Sequence, residues 1–222
     1  MNKLSCTATA ILLAGSATIV FAAPPGTSPA KKSFSSHGSA YSATKPGNPA
    51  HVTDDQASNA ILANALNDLF DGADKHFDQG EYNHVINLNR VVVQGDPHNM
   101  QAYSNAAWLL WSTDRTESGL ALLRQGLAAN TTNFYMYDEL GQFYWLHLHK
   151  PALALPYYEK AVKYPCPMLT WHGLAHCYEL TGHLKLAALA WEHASKIKGD
   201  RIASVQLARL RVLIAHKSEK HI

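Results

Sequence analysis

Beyond residue 54 the apolar positions recur at helical spacing, and that spacing is itself repeated. Aligned on Gly80-Glu81-Tyr82, the chain falls into four units starting at Leu66, Met100, Phe134 and Met168, each 34 residues after the last. In the first half of each unit, positions 4, 7, 8 and 11 should be apolar or small. The second unit has Tyr103, Ala106, Ala107 and Leu110; the third has Tyr137, Leu140, Gly141 and Tyr144; the fourth has Trp171, Leu174, Ala175 and Tyr178. In the first unit Leu69, Gly72 and Ala73 fit and His76 departs. At about 100° per residue, these positions form one narrow stripe on a helix.

A second helix follows a turn in each unit. Its packing positions 20, 24 and 27 hold Val85, Asn89 and Val92, then Gly119, Leu123 and Gly126, and in the fourth unit Ala187, Trp191 and Ala194. In the third unit one extra residue, assigned to the turn, moves the set to Ala154, Tyr158 and Ala161. Gly80 and Gly182 suit the tight turns, and Asp96-Pro97 ends the first unit's second helix. Small residues at positions 8, 20 and 27 let the two helices of a hairpin approach closely. No such hairpin buries its stripe alone, so each must stack on its neighbour.

Ahead of the units, Thr53 caps a helix that begins at Asp54-Asp55, where two acids meet the positive end of the helix dipole. Behind them, Arg201 to Lys217 is one more amphipathic helix. Its apolar residues are Ile202, Val205, Leu210, Val212 and Leu213, with Arg201, Arg209 and Arg211 left for solvent. It closes the last unit's exposed stripe, or else begins a truncated fifth unit. The expected array is therefore residues 53–217, with repeats at 66–99, 100–133, 134–167 and 168–200 and a capping helix at 201–217.

Four units in phase at this period, with a segment such as Ala154-Leu155-Pro156-Tyr157-Tyr158-Glu159-Lys160-Ala161-Val162, resemble the tetratricopeptide-repeat family from about Leu66 to Lys198. The resemblance implies an all-α, right-handed α-solenoid of helical hairpins that binds a protein or peptide. In that family, first-helix positions 2, 5, 9 and 12 line a concave groove. Here they are Gln101, Ser104, Trp108 and Trp111, then Tyr135, Asp138, Gln142 and Trp145, then Leu169, His172, His176 and Glu179. A helix face opposite the core should be polar. Aromatic rings there point to a binding surface, or to packing between repeats or under the N-terminal helix. Asn105 is the one match to the family's carboxylate-gripping Lys, Arg and Asn residues, and the groove positions hold no Lys or Arg. The groove thus favours an apolar or aromatic ligand, with a basic residue to meet Asp138 and Glu179.

The thirteen histidines add one rival chemistry. His172 and His176, four residues apart, share a helix face with Glu179 a turn further on, a trio able to hold zinc or copper. The segment reads His-Gly-Leu-Ala-His and so lacks the glutamate of a zinc hydrolase. Neither a nucleophile elbow, a phosphate-cradling loop nor a haem motif is present, and the adjacent Asp138 and Glu139 point apart on a helix. The sequence accordingly predicts neither an enzyme nor a cofactor.

The N-terminal segment reads as an export signal. Lys3 precedes the uncharged run Thr9 to Phe21, and Val20-Phe21-Ala22 presents small residues for cleavage before Ala23. Cys6 lies ahead of the run, which disfavours a lipid anchor; an uncleaved anchor is the alternative. Residues 23–52 are rich in Pro, Gly, Ser and Ala, with only Phe34 and Tyr41 large and apolar, and read as a disordered tether able to occupy the groove. Periplasmic or secreted localisation follows, with no membrane insertion after cleavage. The formal net charge of +2, or +1 once Lys3 is lost, gives no electrostatic footprint for nucleic acid. Cys166 and Cys177, separated by about 15 Å along the expected helix, are too far apart for a disulfide. Asn130-Thr131-Thr132 fits a glycan acceptor in an inter-repeat turn.

Overall fold

The computed structural model describes residues 54–219. Every described residue lies in one compact unit. The segment read as an export signal and the segment read as a tether fall outside the described residues. Those described form an all-helical array without strands: α1 (Asp54–Asp78), α2 (Tyr82–Gly95), α3 (Met100–Ser112), α4 (Thr116–Ala129), α5 (Tyr135–Gln142), α6 (Pro151–Ala161), α7 (Met168–Leu180), α8 (Leu184–Ser195) and α9 (Ala203–Glu219). Each helix packs on the next in chain order, so α1 and α9 are the two ends of a right-handed α-solenoid.

Local chemistry explains the hairpins. Each turn contains one residue in the left-handed region: Gly80 at φ 78°, Asp114 at 61°, His149 at 53° and Gly182 at 82°. This residue closes the preceding helix, with backbone bonds such as Glu81 N to His76 O (2.9 Å), Arg115 N to Leu110 O (2.7 Å) and His183 N to Tyr178 O (2.8 Å). The extra residue of the third repeat does not enlarge the turn. It is taken up one step earlier, in a π-helical segment, Phe143–His147, that continues α5. The third closing bond, Lys150 N to Tyr144 O, consequently spans one residue more than its three counterparts.

The core follows most of the stripe positions, although Leu69, Tyr137, Trp171 and Tyr178 are only half-buried. Tyr103, Ala106, Ala107 and Leu110 are buried, as are Leu140, Tyr144, Leu174, Ala187, Trp191 and Ala194. In α3 burial extends without interruption from Ala102 to Leu110, because neighbours enclose the helix on nearly every side. Glycines mark the closest approaches. A methyl group built on Gly173 would lie 2.5–2.7 Å from the Tyr158 ring and hydroxyl, and one on Gly141 would lie 3.0 Å from the same end of that ring.

Several local expectations change. His76, out of pattern, is drawn to the turn, where Nδ1 meets Glu81 Oε2 at 2.6 Å and the ring lies 4.1 Å from that of His84. Asn130 is buried, and its amide nitrogen donates to Pro97 O (2.9 Å) and Gly126 O (3.0 Å), joining two repeats. It is therefore a structural bridge and presents no glycan acceptor in the folded array. Cys166 and Cys177 are free thiols; burial pushes the Cys177 thiol up to about 12.

The capping helix differs most. Ala203, Leu207 and Leu210 form its buried side against α8. Ile202, Val205, Val212 and Leu213, expected to cover the last repeat, are 54%, 65%, 57% and 38% exposed. Both sides of α9 carry apolar residues, so periodicity alone does not identify the one that packs.

Candidate functional site

The groove positions lie on α3, α5 with its π-helical continuation, and α7. Ser104, Asn105, Trp108, Asp138 and His172 are buried, while Gln101, Trp111, Tyr135, Gln142, Trp145, His176 and Glu179 are half-buried. Leu169 is 69% exposed. The face expected to be open is thus partly sealed, because polar side chains bond across repeats and adjacent rings cover one another.

A hydrogen-bonded strip joins the second and third repeats. Tyr135 Oη donates to Gln101 Oε1 at 2.7 Å, and Gln101 Nε2 donates to Asn105 Oδ1 at 2.9 Å. Ser104 Oγ donates to Glu139 Oε2, and Gln142 Nε2 to Asp138 Oδ2. Burial, followed by the nearby Glu139 carboxylate, holds the Tyr135 phenol well above its ordinary range. Asn105 belongs to this strip, accepting from Gln101, and is only 3% exposed.

Aromatic rings flank the strip. Trp108 is only 8% exposed and packs 6.1 Å from Phe77 of α1, which makes it a core residue. Trp111 and Trp145, at the same position of successive repeats, remain half-buried. Each has an imidazole against it: His147 at 3.9 Å from Trp111, and His176 stacked at 5.4 Å on Trp145. The repeat spacing places His147 in the turn; the π-helical segment turns it back beneath Trp111. Phe77, Glu139 and His147 are contacts that the groove positions do not include, and only the one-residue excess in the third repeat hints at the last.

His172, His176 and Glu179 are engaged separately. His172 Nε2 lies 2.6 Å from Asp200 Oδ2, and Asp200 Oδ1 accepts from the backbone N–H groups of Ile202 and Ala203 at the start of α9. Glu179 accepts from Trp191 Nε1 at 2.7 Å and pairs with Arg209 of α9. His176 lies between Trp145 and Trp191. The arrival of α9 has drawn the trio into packing contacts, and no three His, Cys, Asp or Glu side chains among the described residues are placed to hold a metal. The metal alternative is withdrawn on this geometry.

Burial lowers the His176 pKa from 6.5, with His172 and Arg209 acting in the same direction and Glu179 opposing. The unfolded chain therefore takes up this proton at a higher pH than the folded one. The contribution is complete above about pH 6.5 and is lost as pH falls below it. Thermal unfolding followed between pH 7.5 and 5 should show a falling midpoint, and His176→Gln should remove part of that fall. An identical pH slope in the variant would show that His176 carries none of it.

Stacked hairpins, one left-handed residue at each turn, and small residues at the helix crossings define a tetratricopeptide-repeat solenoid. Solved structures give this fold directly. PilW, described as a widely conserved type IV pilus biogenesis factor, superposes with a TM-score of 0.54 at 20% identity, covering 67% of this chain and 70% of its own. TTC0263, a thermophilic TPR protein of Thermus thermophilus, gives 0.51 at 19% identity over 70% of this chain and 90% of its own. YrrB, described as a TPR protein with an unusual peptide-binding site, gives 0.52 at 18% identity over 71% and 83%. No family model and no curated protein matches the sequence.

Proposed function

We propose that the protein is an exported scaffold that holds a segment of another protein along the groove positions of its second and third repeats. The observation that carries this reading is the pair Trp111 and Trp145, equivalent in successive repeats, half-exposed, and each steadied by an imidazole. Rings already held in place lose little freedom on binding, and a buried aromatic anchor contributes on the order of 2 kcal/mol. Half-buried Glu139 adds negative charge to α5, the helix that leads to Trp145, which suits an apolar or aromatic segment carrying a basic residue. The shared fold with a protein described as having a peptide-binding site supports a polypeptide ligand.

The test is retention of partners from an envelope extract of the source organism by the full chain and by Trp111→Ala/Trp145→Ala. Each substitution should weaken retention by about tenfold or more, with the circular dichroism spectrum unchanged. If a folded double variant retains the same proteins as the parent, another surface is at work. The export part of the reading rests on residues 1–22 and has its own check. N-terminal sequencing of the protein from its source should begin at Ala23; a start at Met1 would remove cleavage from the proposal.

A further inference from the structure

The ends of a solenoid are where its stacking surfaces run out, and terminal elements normally present a polar outer side. Here both ends are apolar in part. On α9, Val205, Ala208 and Val212 share one face by helical spacing, with Ile202 and Leu213 beside it, and all are exposed. At the other end α1 extends well past α2, and Ile61 and Leu62 are 69% and 49% exposed; Val91 of α2 is 47% exposed. No other helix among the described residues covers these side chains.

The charges on the two ends are opposite. Helix α1 contains six aspartates against Lys75. Asp55, Asp68, Asp71 and Asp74 are exposed, and Asp71 and Asp74 are close enough to repel each other. The α9 end presents Arg201, Arg209 and Arg211, Arg209 being the one paired with Glu179. Two α9 helices placed face to face would oppose arginine to arginine, and two α1 helices would oppose aspartate to aspartate. Only an α1 end against an α9 end matches apolar to apolar and acid to base.

We infer that the outer face of α9 receives the α1 end of a second copy of this chain, so that molecules associate end to end. Such a contact uses different surfaces on the two partners and leaves one end of each free, which builds an open series or a ring instead of a symmetric dimer. Salt weakens it, because exposed charges provide the selectivity.

The experiment is sedimentation velocity on the full chain, isolated as its cell processes it, across the micromolar range. The average mass should rise with concentration and fall towards the monomer when salt is added. Asp71→Arg/Asp74→Arg blocks one end and Val205→Glu/Val212→Glu the other; all four residues are exposed, and circular dichroism checks that both variants are folded. Each variant alone should associate at least about tenfold more weakly than the parent. Their equimolar mixture should restore pairing and stop at the dimer, since each variant retains one intact end. A parent that stays monomeric throughout overturns the inference, as does a mixture that pairs no better than its components. Self-association of the Asp71→Arg/Asp74→Arg variant at parental strength overturns it too, and indicates symmetric pairing through α9.

Discussion

Trp191→Ala is expected to destabilise the protein by about 3–5 kcal/mol, the usual cost of emptying a fully buried aromatic site. Trp191 is 0% exposed, and its ring lies between two imidazoles, His172 at 4.9 Å and His176 at 4.9 Å. Its Nε1–H donates to Glu179, the residue that also pairs with Arg209 of α9. Truncation therefore leaves a cavity, removes a donor from a half-buried carboxylate and loosens the seat of the terminal helix. Urea denaturation followed by circular dichroism should show a large fall in midpoint, and thermal unfolding a loss of roughly 10 °C. Trp171→Ala, whose ring stacks on the exposed His193 at 4.7 Å, should cost much less. Equal losses in the two variants would mean that Trp191 is not the joint between the fourth repeat and α9.

The second large effect centres on Tyr158. This α6 side chain is 1% exposed, and its ring fits between the backbones of α5 and α7 at Gly141 and Gly173. Tyr158→Ala should cost about 3–5 kcal/mol through the cavity it leaves. Gly173→Ala attacks the same slot from the other side, because its methyl would lie 2.5 Å from a ring that cannot retreat past Gly141. Overpacking of that kind costs about 1–3 kcal/mol, against a helix-propensity gain of about 1 kcal/mol, so the net change should be destabilising. Combining Gly173→Ala with Tyr158→Leu should cost less than the two separate losses together, since the smaller side chain gives the methyl room. Strict additivity would show that the two residues do not share a space.

Much of this packing is written in the spacing of the sequence. Position 8 of each first helix is Ala73, Ala107, Gly141 or Ala175, and all four are buried. Counting also reveals one residue too many in the third repeat, but places it in the turn. A π-helical segment absorbs the excess within the helix, and spacing reports only the sum of helix and turn. The displaced residue, His147, consequently reaches the groove without a signal of its own in the sequence.

The groove shows the same division. Its positions are assigned by face, and a face says which way a side chain leaves its own helix. Whether that side chain meets water depends on what arrives from elsewhere in the chain. Phe77, 31 residues before Trp108, covers that indole, and Asp200, 28 residues after His172, binds that imidazole. Trp111 and Trp145, at equivalent positions to each other, stay half-open, with an imidazole against each and the Tyr158 ring edge-on to Trp145.

From sequence alone, then, came the repeat, the helical hairpins and the residues that line their seams, because these depend on local periodicity and on turns that a single left-handed residue can close. Only the tertiary structure decided which groove rings are core, why the His172, His176 and Glu179 trio holds no metal geometry, and which side of α9 is bare. Each of these turns on contacts between residues distant in the chain, and a periodic pattern carries no record of what lies opposite it.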